Sequence, residues 1–442
     1  MKPNSQPTSR TTRLALAAAV ASLALATTAC GGDKAAAGGA APDAKPVTLT
    51  YWGWAKGAQA TVDAFNKTHK NIQVKYSEIA GGPDGYSKIT NAVKAGNAPD
   101  VAGIEYTQLP EFASQGLLED LTEQAGDTVK QKFPASIQNL VTFGGKTWAV
   151  PYDVAPQLYY YRTDLFQKYG IAVPKTWAEF KTAGEKLQQA DKNVHIASWA
   201  DNDAVLLAAL AWQGGGKWFS TEGDAWKVGI DDAASQKVAA YWQGLVDSGV
   251  VNSIPAGSED ETKARTSGTV ASFIGASWSA GGMTVAMPKL SGKWGIAPLP
   301  TWDGKPASGG YGGTTYAVPK GSKHVKEAAE FSQWVTTDAA AVTARLSSLT
   351  SPSSALPANV EMRDVAAKAF KGGAYYAGFD VYRIAGAQVD TIVPGWTFGP
   401  VQIATNTAIT DAAAKGNLTQ GLTAGQASAE KGIKERGLNL VK

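Results

Sequence analysis

The chain has 442 residues, with 41 Lys+Arg against 38 Asp+Glu, three His and one Cys. Single cores stop growing near ~250–300 residues, so more than one domain is expected; a hydrophobic content of 44% with 14 Trp, 15 Tyr and 12 Phe excludes disorder or a collagen-like state for the whole chain. One cysteine excludes an internal disulfide, and His69, His195 and His324 are too scattered to suggest a Cys/His zinc cluster.

At the N-terminus, Lys2, Arg10 and Arg13 precede an apolar run at residues 14–26. That run is too short to span a ~30 Å hydrocarbon core as a helix and has the pattern of a secretory signal peptide. It ends at Ala26-Thr27-Thr28-Ala29-Cys30. This string resembles a bacterial lipobox, in which Cys30 becomes the lipidated first residue of the mature protein; Thr27 stands where Leu is more usual. Residues 1–29 therefore read as leader. Residues 30–46, which after Cys30 are all Gly, Ala, Asp, Lys and Pro, read as a flexible tether. The leader holds three bases and no acid, so +3 minus 3 leaves the mature chain near neutrality. No Lys/Arg-rich run follows, and the electrostatic footprint of nucleic-acid binding is missing. No later stretch reaches ~18 apolar residues.

Residues 47–52 form a β-branched and aromatic run, a first strand. A helix over 59–68, a strand over 72–79, a helix over 86–95 and a strand over 100–104 follow, a β-α-β-α-β order that implies a largely parallel sheet. Residues 150–162 read as one long extended segment, with Tyr159-Tyr160-Tyr161 showing the cleft at most one face. Helices are expected over 177–189, 203–212 and 234–246, a strand over 314–319 and a helix over 325–336. From Val401 onwards the chain reads as helical, with breaks at Asn417 and Gly437.

Several strings in this order resemble the extracellular solute-binding proteins of ABC importers, in the cluster that includes maltodextrin-binding and other oligosaccharide-binding proteins. They are Ala98-Pro99-Asp100-Val101, Ser114-Gln115-Gly116-Leu117-Leu118-Glu119-Asp120-Leu121, Trp148-Ala149-Val150-Pro151, Leu158 to Phe166, Thr176-Trp177-Ala178-Glu179-Phe180 and Tyr316 to Ser322. The resemblance implies an α/β, two-lobed periplasmic-binding-protein-like fold with a hinge and an interlobe ligand cleft. The first lobe would take 47–153 and 312–343 and the second 154–311 and 344–399, with the final helices of 400–442 packed near the hinge. It also implies a sugar ligand and ABC permease subunits as partners; the many aromatics suggest more than one ring, an oligosaccharide in preference to a monosaccharide. The protein would be a monomer on the extracellular face of the cytoplasmic membrane, anchored through the lipid on Cys30. No cofactor, metal or catalytic residue is expected.

A neutral protein that holds a sugar needs flat aromatic faces for ring C–H groups and polar groups for hydroxyls. Trp54 and Lys56 follow the first strand and Glu105, Tyr106 and Gln108 the third, at carboxyl ends where open α/β sheets bind ligands. The resemblance puts sugar contacts in both loops. Glu105 is the preferred polar anchor; the competing assignment is a solvated surface acid. Asp153 and Gln157 lie in the hinge segment, with Ala155 at the family's contact position. Trp199, Asp201, Asn202 and Asp203 precede a second-lobe helix, one acid as its N-cap and the others free to reach the cleft. Trp278 matches the family's aromatic platform. Tyr311, before Gly312-Gly313, lies where the chain recrosses between lobes. Trp396 and Phe398 fall near another family contact, an aromatic cap over a helix start being the alternative. Trp148, Trp177, Trp242 and Trp334 read as packing residues.

Two rivals stay open. A secreted glycoside hydrolase would share the leader and the aromatics but needs paired carboxylates ~5–10 Å apart. Ser277 lacks the final glycine of a nucleophile elbow, and Trp218 stands where a phosphate loop after Gly214-Gly215-Gly216-Lys217 needs Ser or Thr. The same fold could also bind a polyamine, iron or another small molecule; Tyr375-Tyr376 is the pair an iron site would use, though adjacent residues point apart.

Overall fold

The computed structural model describes residues 46–441. The leader, Cys30 and the tether up to residue 45 lie outside the described residues. Strand Val47–Gly53 turns Leu49, Tyr51 and Gly53 inward by simple alternation. It runs parallel to Ile72–Glu78 and to Val101–Glu105, with helix Ala58–Thr68 in the first crossover and helix Gly82–Lys94 in the second. The second helix starts four residues before the expected position. Pro83 sits in its first turn, where the missing N–H leaves nothing unsatisfied, so a Gly-Gly-Pro string that reads as a breaker is a helix start.

The extended segment expected over 150–162 is three separate strands. Ala149–Pro151 and the returning strand Thr314–Ala317 complete the first sheet, in the spatial order 72–78, 47–53, 101–105, 314–317, 149–151. Leu158–Arg162 is instead the middle strand of a second sheet, antiparallel to Ser272–Gly275 and Trp294–Pro298. All five of its residues are buried, so none of the three tyrosines faces the cleft. Tyr160 stacks on Phe273 at 4.8 Å and Tyr159 meets Phe180 edge-on. Beside it, Ala197–Trp199 pairs in parallel with Val251–Ser253. Helices Trp177–Ala190, Ala204–Gln213 and Ala233–Asp247 start at Thr176, Asp203 and Asp232, whose side chains accept from first-turn N–H groups.

The chain passes between the two sheets three times, and the passages are hydrogen-bonded to each other. Asp153–Val154 pairs with Leu356–Pro357, and Pro156 bridges Gly310. Tyr311 N–H donates to the Ala155 carbonyl at 2.8 Å. Helix Ala339–Leu346 runs past the expected boundary at 343 and packs on Ala58–Thr68. That approach depends on Gly57, with φ +76, where a Cβ would lie 2.3 Å from the Arg345 carbonyl. The final helices, Gln402–Lys415 and Leu418–Glu435, pack on each other and on Ala233–Asp247. Glu111 of the first lobe ties them back, accepting from Arg436 Nη2 at 2.7 Å and Ile403 N at 3.0 Å.

Candidate ligand cleft

Where the three passages meet the carboxyl ends of the first sheet, a cavity of about 650 Å³ opens between the sheets. Its first-lobe wall is polar and braced. Glu105, the last residue of its strand, accepts the Tyr86 hydroxyl on one oxygen, and burial raises its carboxyl above the ordinary range. Trp54 meets Tyr86 edge-on at 5.7 Å and lies against Gly81, where a Cβ would be 3.3 Å from the indole. Lys56 is exposed, 3.9 Å from Glu78.

Asp153, in the first passage, accepts Thr314 N–H at 2.6 Å on Oδ1. Burial pushes its carboxyl up to about 7, with Thr314 N–H and the Arg345 guanidinium pulling the other way and Glu105 adding to the rise. Arg345 is itself buried, its guanidinium 4.4 Å over the Tyr152 ring. Beneath this wall Gly313 has φ +100, and a Cβ there would touch the Tyr106 ring at 2.9 Å.

The second-lobe wall is largely apolar. Trp278 is 42% exposed and held by one hydrogen bond, its Nε1–H donating to the Tyr311 carbonyl at 3.0 Å. After it come Met283 and Met287, one helical turn apart, with Gly282 and Ala286 beside them. The charged groups on this side are each bonded within the wall. Arg265 lies 2.5 Å from Glu261 and 3.8 Å over the Phe273 ring. Asp203 accepts Val205 and Leu206 N–H on one oxygen and the Tyr311 hydroxyl, at 2.5 Å, on the other.

The structure thus brings Trp54, Lys56, Glu105, Asp153, Trp278 and Tyr311 to one cavity. The other expected contacts do not line it. Tyr106 is buried behind Gly313 and donates its hydroxyl to the Asp153 carbonyl at 3.0 Å. Gln108 is buried beside Thr107 at the start of helix Leu109–Ser114. Gln157 is fully buried in the passages, where its Oε1 accepts Gly309 N–H. Trp199 packs on Trp242 at 5.2 Å. Asp201 and Asn202 fix loops, through Ser253 and the backbone of Ala256 respectively. Trp396 stacks flat on Trp212 at 5.1 Å and Phe398 meets both edge-on, a buried aromatic cluster under the final helices.

Asp203, which the sequence offered as a helix N-cap or a cleft residue, is both, because capping uses one carboxylate oxygen and leaves a second. The sequence reading missed Met283, Met287, Arg265 and Ser353 to Ala355. Met283 and Met287 carried a usable signal, an apolar i, i+4 pair right after the Trp278 platform. Arg265 and Ser353 to Ala355 carried none; they reach the cavity from a polar helix and a distant loop. Tyr375 and Tyr376 donate their hydroxyls to the Met287 and Ala280 carbonyls and so pack behind the methionine wall. Among the described residues no group of three or more His, Cys, Asp or Glu is placed to hold a metal ion, and no helix is long and apolar enough to cross a membrane.

Residues 51–342 match a family described as bacterial extracellular solute-binding proteins. The chain is 28% identical over 281 residues to the arabinooligosaccharide-binding protein of Bacillus subtilis (strain 168), covering 61% of this chain and 64% of that protein. It is 28% identical over 345 residues to the diacetylchitobiose binding protein DasA of Streptomyces coelicolor, covering 72% and 76% respectively. The match to the first relative therefore spans just under two thirds of its length. Among solved structures, the galacto-N-biose-/lacto-N-biose I-binding protein of Bifidobacterium longum, in complex with lacto-N-biose, superposes with a TM-score of 0.79 at 26% identity, over 90% of this chain and all of that one. An ABC transporter associated binding protein from B. animalis subsp. lactis Bl-04, in complex with beta-1,6-galactobiose, gives 0.80 at 25% identity over the same shares.

Proposed function

This chain belongs to the bacterial extracellular solute-binding proteins, and from that premise we propose that it is the substrate-binding lipoprotein of a carbohydrate ABC import system. It captures a sugar, an oligosaccharide in preference to a monosaccharide, between two closing lobes and delivers it to a membrane permease. It does so as a monomer outside the cell, tethered through a lipid on Cys30, and performs no chemistry on the sugar. The observation that carries the reading is the cavity itself, with an exposed Trp278 on one wall and the buried carboxylates of Glu105 and Asp153 on the other. The indole face takes the C–H side of a ring, and the carboxylates accept hydrogen bonds from its hydroxyls.

One observation favours a second reading, a cationic solute such as a polyamine. Three carboxylates, those of Glu105, Asp153 and Asp203, line the cleft. Thermal unfolding of the protein with sugars, spermidine, putrescine and ferric iron separates the readings. A ligand at a hundred times its dissociation constant adds ~2.7 kcal/mol of stability. A shift with one sugar class alone supports sugar capture; a shift with the amines alone replaces it by the second reading. Hydrolysis of the bound sugar would refute both.

A further inference from the structure

Behind the main cavity lies a second, smaller one of about 220 Å³, inside the second lobe. The two are divided by four residues that line both: Arg265, Trp278, Ser279 and Tyr311. From this arrangement we infer that the two spaces are a single binding site, and that the inner chamber takes one terminal neutral hexose unit of a longer saccharide. The inference rests on the sugar-capture reading above and narrows its ligand class.

Size is the first argument. Taking ~30 Å³ per water of bulk liquid, the chamber has the room of roughly seven waters, the scale of one pyranose ring, while the main cavity holds about three times as much. The chemistry of the walls is the second. The floor is Trp242 and Phe273, both buried and fixed by other aromatics: Trp242 against Trp177 and Trp199, Phe273 under the stacked Tyr160. Such faces suit ring C–H groups. The charged residues of the lining are Glu261 and Arg265, paired with each other at 2.5 Å, so the chamber presents no net charge and suits a neutral occupant. The third argument is the partition. The Trp278 ring, 42% exposed and 5.4 Å from the Tyr311 ring, is anchored through a single indole hydrogen bond. A rotation about its side-chain bonds gives up that bond and the ring contact and opens a path for a saccharide from one space into the other.

The test is calorimetric titration of the protein with matched pairs: glucose and maltose, galactose and lactose, N-acetylglucosamine and diacetylchitobiose. For the pair that binds, the longer sugar is expected to bind at least about tenfold more tightly than its monosaccharide. Ala256→Phe fills the chamber from a loop whose backbone bonds to Asn202 do not involve the side chain. It should erase that difference by weakening the longer sugar at least about tenfold. Ser198→Leu, from the neighbouring strand, should do the same and covers the case in which the first variant does not fold. Equal affinity for both members of the binding pair in the unaltered protein overturns the inference, as does a filled variant that keeps the preference. In either case the main cleft survives as a sugar site. Absence of binding by every sugar, with a response to spermidine instead, removes the capture reading itself and the chamber with it.

Discussion

The two walls of the cleft are built on opposite plans. On the first lobe, groups that can bond a ligand are already held: Glu105 by Tyr86, Asp153 by Thr314 N–H, Trp54 edge-on to Tyr86. On the second lobe Trp278 is part exposed and held by one hydrogen bond beside the buried Met283 and Met287, Arg265 is paired with Glu261, and Asp203 is bonded by Tyr311 and two backbone N–H groups. A fixed polar wall selects hydroxyl geometry, because a misplaced donor leaves a buried carboxylate unpaired. An adaptable apolar wall supplies contact area to many rings with little selectivity. Specificity would then reside on the first lobe and affinity on the second.

The strongest way to break this division is to disturb the passage that joins the walls. Gly313→Val forces a branched side chain into φ +100 and against the Tyr106 ring; a loss of about 3 kcal/mol of stability by denaturant titration is expected. A variant as stable as the parent would mean the passage is soft. Trp278→Ala should weaken sugar binding by about 2 kcal/mol, near 30-fold, for every ligand that binds, with little change in stability since the ring is part exposed. If its effect instead differs sharply between sugars, selectivity lies on both walls.

The pH profile sharpens the account of the polar wall. Burial raises Asp153 to about 7, whereas an unfolded Asp titrates near ~3.9. Between those values the folded state keeps a proton that the unfolded state has lost, so stability falls as pH rises from about 4 to 7, by at most ~1.4 kcal/mol per unit for this group. Glu105 and Asp203, also raised by burial, push the same way. Asp153→Asn should flatten the slope of melting temperature against pH without abolishing it. Sugar affinity should run the other way, rising with pH as the carboxylates become acceptors. The smallest effect is expected from Asp201→Ala. It removes a loop bond to Ser253 outside the cavity, so affinity measured by calorimetry should stay within about twofold and stability within ~1 kcal/mol.

The first sheet and most helices were legible because burial enforces periodicity: alternation in 47–53, amphipathic stretches in 177–190, behind the Thr176 cap, and in 325–337. Strands Ser272–Gly275 and Trp294–Pro298 of the second sheet were not. The cleft was legible where topology alone places a residue, as for Trp54 and Glu105 at strand ends. It was not legible for aromatics, because a core indole and a platform indole have the same sequence signature. Trp199 and Trp396 proved to be the former, while Trp278 and Trp54 line the main cavity. Arg265 could not be found either: helix Glu259–Ser267 has no buried residue and reads as a solvated face, while its one arginine turns onto Phe273.

Strand Thr314–Ala317 sets an order of events in time. Its Thr315 hydroxyl bonds the carbonyl of Ile104 across 211 residues of sequence, and it is wedged between strands 101–105 and 149–151. The second lobe's main sheet is complete once the chain has emerged to residue 298, but the first sheet, begun at residue 47, cannot close until residue 317. The sheet that starts first therefore closes last. Throughout that interval strand Val101–Glu105 presents an unpaired edge, the segment that a holding chaperone would need to cover.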